Sequence, residues 1–358
     1  MELGTKNSKL RIAYIVPSLR PLGPVIVVRN LVEQIVAHGH VCVVFYFDEC
    51  DDRMTFACET RQISFWKRLD FSGFDWVHAH SFRPMVYASR LKGVRKMTTM
   101  HSYLFEEYNY SLGSFFGKIL GRYTMYVASK FEIVVVLSEN ARDYYSRWIP
   151  KEKLVVCYNG VTISANNVDS LENHSEDWKR IEKFKADGIL IGCICELAKI
   201  KNLDTMIHAL KLLPAQYRLL LIGAGKEKSA LDSLAYKNGV GERVLFLGER
   251  VEAHRFLPLI DVFAMTSRSE GFCLALTEAA LYGRNIVCAD IPGMREKYSK
   301  EEVTYFDPDS AQELAKAILA AQKYGEKAEQ AKTVAEERFS TERMYEAYMR
   351  VYECVQRV

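Results

Sequence analysis

Short apolar runs rich in β-branched and aromatic residues recur along the chain, each followed by a pattern of helical period. The first half holds LRIAYIVP (10–17), VCVVFYF (41–47), DWVHAH (75–80), VRKMTTMH (94–101), EIVVVLS (132–138) and KLVVCYN (153–159). The second holds ILIGCIC (189–195), YRLLLIG (217–223), RVLFLG (243–248), DVFAMTS (261–267), RNIVCAD (284–290) and EVTYFD (302–307). Strands that are apolar almost throughout are buried on both faces, which implies parallel sheets covered by helices. A length of 358 residues suits two cores better than one. The polar stretch 162–188 between the two sets is the expected boundary, and a final helix is expected over 341–357. Two doubly wound α/β domains in series follow. Ligands of such sheets bind outside the carboxyl ends of the strands, so the expected site is the cleft between the two domains.

Composition narrows the function. Hydrophobic residues at 49% and charged residues at 26% are those of a soluble globular enzyme. No run of eighteen apolar residues is present, and the start MELGTKNSKLRIAYIV lacks the build of a secretion signal. The nine cysteines form no CxxC pair and are odd in number, which argues against a disulfide framework and for a reducing cytoplasm. A net charge of +3 does not indicate a nucleic-acid partner. Residues 1–160 carry 21 Lys and Arg against 15 Asp and Glu, so the basic character lies in the first half.

Two Gly-rich turns stand between a strand and a helix, where backbone N–H groups meet anions. These are LLIGAGKEKSAL (220–231) and PSLRPLGPVIVV (17–28), the latter with Gly23 at a helix start. Glycine needed only for a tight turn accounts for the first equally well. Neither has GxGxxG spacing, which disfavours a nicotinamide enzyme. SRSEGFCLALTEAALYG (267–283) reads as a turn followed by a helix from Phe272. The helix start attracts phosphate, Glu270 points at what that phosphate carries, and Glu278 reaches the other side. The alternative is that Glu270 caps the helix and Glu278 is solvated.

This stretch resembles the Glu-x7-Glu element of the family 4 glycosyltransferases, retaining nucleotide-sugar transferases of the GT-B fold, in which two Rossmann-like domains face each other across a cleft. Gly23, HAH at 78–80, His101, NGV at 159–161, ELAKIKN at 196–202, IGAG at 222–225 and FLG at 246–248 match the family in order. The resemblance implies an acceptor domain over 1–165, a donor domain over 166–340, and a helix 341–358 packing back on the first. It implies that Glu270 contacts the donor sugar and Glu278 the ribose. Lys201, Gly23 and the backbone of Gly271, Phe272, Cys273 and Leu274 would hold the diphosphate, and His101 would face the sugar. The nucleotide sugar is then a substrate, and no cofactor or metal is expected.

Two positions depart from the family. Glu196 stands where an arginine usually joins the lysine on the diphosphate, so either Lys199 substitutes, Glu196 turns away, or donor binding is altered. Cys273 replaces a glycine. Residues 101–130 interleave Phe and Tyr with Lys118, Arg122 and Lys130, which suits either a peripheral contact with the inner membrane surface or a buried helix face. The expected activity is transfer of a hexose-type sugar, UDP- or GDP-linked, to a saccharide or lipid-linked saccharide acceptor. A sugar-nucleotide epimerase and a non-catalytic sugar-nucleotide binder are the alternatives.

Overall fold

A computed structural model describes residues 9–163, 175–321 and 325–354. The chain divides into two compact units, Met1–Leu104 with Lys118–Gly160 and Thr341–Val358, and Phe105–Gly117 with Val161–Ser340. The boundary expected at residues 165 and 166 lies outside the described residues.

The first unit holds a seven-stranded, all-parallel sheet. Its strands are β1 (Arg11–Ser18), β2 (Val41–Asp48), β3 (Glu59–Gln62), β4 (Trp76–His80), β5 (Arg95–Met100), β6 (Ile133–Val136) and β7 (Leu154–Val156), in the order β3-β2-β1-β4-β5-β6-β7. The helices between them in the chain are α1 (Gly23–Ala37), α2 (Phe82–Ala88), α3 (Leu104–Leu112), α4 (Ser114–Ala128) and α5 (Glu139–Tyr145), of which Phe105–Gly117, covering nearly all of α3 and the start of α4, is grouped with the second unit. β3 has no apolar run to announce it. All four of its residues are exposed, and it is held by edge pairing with β2 alone.

The second unit holds six parallel strands in the order β10-β9-β8-β11-β12-β13. These are β8 (Ile189–Ile194), β9 (Tyr217–Ile222), β10 (Val244–Gly248), β11 (Val262–Met265), β12 (Asn285–Ala289) and β13 (Thr304–Phe306). Its helices are α6 (Glu176–Lys185), α7 (Leu203–Leu212), α8 (Lys228–Lys237), α9 (Leu274–Leu281), α10 (Pro292–Lys297), α11 (Ala311–Ala321) and α12 (Gly325–Arg338). α6 lies inside the stretch expected to be a boundary. The Ser175 hydroxyl caps it by accepting from the Trp178 N–H, and Trp178 and Ile181 are buried. α12 buries a narrow stripe of Ala328, Ala331 and Ala335, a face too small in side-chain volume to stand out in sequence.

The last helix, α13 (Thr341–Cys354), belongs to the first unit. Its Tyr352 hydroxyl lies 2.9 Å from the Tyr14 hydroxyl on β1 and 2.8 Å from His78 Nδ1 on β4. His78 Nε2 meets the Thr99 hydroxyl at 2.8 Å, which in turn meets Tyr348 of α13 at 3.2 Å. Buried polar groups are thereby paired with one another rather than left to cost stability.

Candidate active site

In each sheet the strand order reverses once, between β1 and β4 in the first and between β8 and β11 in the second. The loops leaving adjacent strands there diverge and open a crevice. The loop after β8 carries Cys195 to Asn202, and the loop after β11 carries Thr266 to Cys273. Hydrogen bonds stitch the two loops together. The Thr266 hydroxyl donates to the Lys201 carbonyl at 2.7 Å, and the Arg268 N–H donates to the Ile200 carbonyl at 2.9 Å. Arg268 also donates to the Asn202 side chain at 3.0 Å.

This frame sets Lys201 Nζ 2.7 Å from Glu270 Oε1, and the Ser267 hydroxyl donates to the same oxygen at 2.5 Å. The pair is mostly buried, at 21% and 12% side-chain exposure, so it is shielded from solvent screening. Burial, the largest single effect, lowers the Lys201 pKa, but the charge and hydrogen bond of Glu270 together with Cys195 and Cys273 outweigh it, and the ammonium is held above its usual range.

The helix expected from Phe272 begins two residues later, at Leu274. Cys273 sits at φ +57, in the left-handed region, and a residue there cannot continue an α-helix. Cys273 makes no side-chain capping bond, and Glu270 turns to Lys201 and Ser267. Gly271 and Phe272 are buried, while Leu274 and Glu278 are half-buried on α9. Burial pushes the Cys273 thiol up to about 12, so it is a neutral, inert group at ordinary pH.

Lys297, at the end of α10, was not anticipated. It is 2% exposed, and its ammonium donates to the Phe272 carbonyl at 2.9 Å, the Cys273 carbonyl at 3.1 Å and the Thr277 hydroxyl at 2.5 Å. It also lies 3.7 Å from the centre of the Phe272 ring. In sequence it stands in the charged run MREKYSKEE, which reads as a solvated surface.

The departures from the family pattern have distinct settings. Glu196 and Lys199 are both exposed, and the Glu196 carbonyl accepts from the Ala198 N–H at 3.0 Å. The IGAG glycines serve packing: a Cβ on Gly223 would fall 1.9 Å from the Cys195 carbonyl oxygen, and one on Gly225 would fall 2.3 Å from that of Leu197. The turn expectation for this motif is the one its geometry supports.

Gly23 and His101 belong to the first unit. Gly23 is the first residue of α1 and exposed, with open space where a Cβ would stand. His101 follows β5, and its Nε2 lies 2.9 Å from His80 Nδ1, which leaves Nδ1 as the nitrogen it can offer elsewhere. Burial holds the His101 pKa down to about 3, so the ring is neutral. Among the described residues no group of three His, Cys, Asp or Glu side chains could hold a metal ion.

The family described as Glycosyl transferases group 1 matches residues 157–338, and Glycosyltransferase Family 4 matches residues 60–165. The Escherichia coli O-antigen biosynthesis glycosyltransferase WclY is 30% identical over 354 residues, 96% of this chain and 98% of that protein. The chain belongs to glycosyltransferase family 4. The fold of this transferase is similar to that of Anabaena HepE, solved in complex with UDP and glucose, with a TM-score of 0.80 at 19% identity over 98% of this chain and 100% of that one. WaaG, a glycosyltransferase involved in lipopolysaccharide biosynthesis, matches with a TM-score of 0.72 at 16% identity over 97% and 100%. Two parallel α/β sheets of the GT-B type are thus the architecture of the transferase, the parallel sheets as expected from its strand pattern and the GT-B type as implied by the family resemblance.

Proposed function

We propose that this transferase moves a hexose-type sugar from a UDP- or GDP-linked donor to a saccharide or lipid-linked saccharide acceptor, with retention of configuration and without a metal. The observation that carries this is the shielded Lys201–Glu270 pair, standing just before the start of α9. A cation and a carboxylate set side by side suit a ligand that is anionic at one end and rich in hydroxyls at the other. In this assignment Lys201 and the first turn of α9 hold the diphosphate, Glu270 exchanges its lysine for the sugar hydroxyls, and Glu278 takes the ribose. His101 offers a neutral imidazole toward the sugar.

Chemistry then rests on positioning and on stabilising the charge that develops on the leaving diphosphate. The leaving oxygen, on the face that the acceptor hydroxyl attacks, takes that hydroxyl's proton, and the sugar–oxygen bond forms as the sugar–phosphate bond breaks. WclY is named for O-antigen biosynthesis and HepE was solved with UDP and glucose, which favours a cell-surface polysaccharide and a uridine donor here. No described helix is long and apolar enough to cross a membrane. A cytoplasmic enzyme that touches the membrane from one side draws support from α4, whose Phe115, Phe116, Ile119, Tyr123 and Tyr126 are exposed beside Lys118 and Arg122.

Incubation with UDP- and GDP-sugars tests the proposal. Slow donor hydrolysis, or an α-glycoside formed from an α-donor and identified by the anomeric proton in NMR, is expected. A β-product excludes retention, an epimer makes the protein an epimerase, and tight binding without turnover makes it a binder.

A further inference from the structure

Lys297 is a buried amine whose three acceptors are all neutral: two carbonyls and a hydroxyl. Among the described residues no carboxylate pairs with it. Three aromatic rings, those of Phe272, Tyr298 and Phe339, surround it at 3.7, 5.7 and 5.3 Å. A charge so enclosed is costly without a counter-ion. Burial accordingly pulls its pKa down to about 7, against the smaller opposing effects of the Cys273 and Cys288 thiols and of Glu270 and Glu278. Arg338 of α12 donates to the Lys297 carbonyl at 3.3 Å. Lys201, the other nearby lysine of the site, is bound to Glu270 at 2.7 Å.

The carbonyls that Lys297 grips belong to Phe272 and Cys273, the residues leading into α9. The left-handed turn at Cys273 and the buried Lys297 side chain are therefore one unit at the positive start of the helix.

We propose that Lys297 links donor binding to proton uptake: the amine under the α9 turn takes up a proton when a diphosphate settles on that turn and supplies the counter-charge that no described carboxylate provides. This rests on the donor assignment above and adds a regulated quantity to it. The proton comes from solvent, and no covalent bond changes. Lys297 acts through the turn, so it is a positioning residue.

The probes are UDP and GDP, titrated by calorimetry at pH 7.5 in two buffers of different protonation enthalpy, and again between pH 7 and 9. Wild-type protein should take up a fraction of a proton per nucleotide and lose affinity about tenfold between pH 7 and 9. Lys297→Met and Lys297→Arg, uncharged and always charged, should both bind with no uptake from this site and a flat profile. Ionisation of the nucleotide is common to all variants and cancels. Uptake that persists in either variant, even with a lowered melting temperature, makes Lys297 merely structural and overturns the proposal. Wild-type binding without uptake also overturns it while leaving the donor assignment intact. If neither nucleotide binds to wild-type protein, the donor assignment itself fails and the linkage with it. Should Lys297→Met not fold, Lys297→Arg alone decides.

Discussion

Glu270 and Lys201 share one hydrogen bond and have opposite expected roles. Glu270→Gln keeps the shape of the side chain and removes its charge. It should leave nucleoside diphosphate affinity near or above the wild-type value, because Lys201 is released for the phosphates, while turnover falls by about 10²-fold. Lys201→Met should do the reverse at the binding step, weakening UDP by roughly 1–3 kcal/mol, the scale of a lost charged hydrogen bond. Calorimetry and an initial rate on each variant check both, and equal loss of affinity in the two would remove Glu270 from its catalytic place. Both residues were legible in sequence because they sit in a motif of fixed spacing. Lys297 was not: its contacts lie 20 to 25 residues away in the chain, and a lysine amid charged neighbours carries no mark of burial.

Among the elements, the strands were legible wherever both faces are buried, since an apolar run then has only one place to go. β3 and α12 escaped because an exposed edge strand and an alanine-lined helix lack that pattern. The onset of α9 escaped because a positive φ at a cysteine has no sequence signal. That strain is testable. Cys273→Gly removes the Cβ that disfavours the left-handed region and should stabilise the protein by about 0.5–1 kcal/mol, read as a melting temperature raised by a few degrees. A lowered melting temperature would mean that the buried thiol's packing outweighs the strain. α4 makes a separate prediction. Phe116→Ser with Ile119→Ser exchanges exposed apolar surface for polar, at 65% and 54% exposure. The double variant should keep its melting curve and lose sedimentation with anionic phospholipid vesicles, whereas neutral vesicles should bind neither protein well. A lowered melting temperature would assign the patch to internal packing.

At the scale of the whole molecule the two units should part company in acid. Burial holds His78 and His80 well below the ordinary histidine range, with the charge of His101 adding to it at both and that of His78 adding at His80. All three lie in the first unit. An unfolded histidine binds a proton as pH falls through about 6.5, whereas these folded ones do not, so stability is full above that pH and drains away below it. Each fully buried histidine removes about 1.4 kcal/mol per pH unit below its unfolded pKa. Scanning calorimetry at pH 7.5 and pH 5 should show one transition moving down well ahead of the other, and two transitions shifting in step would refute it. The same unit contains the histidine network closed by Tyr348 and Tyr352 of α13. A ribosome releases Tyr14 and His78 long before it makes the tyrosines they meet. The first sheet to emerge from the tunnel is consequently the last to be completed, and a nascent chain halted ahead of Thr341 presents Tyr14 and His78 without the hydroxyl they share.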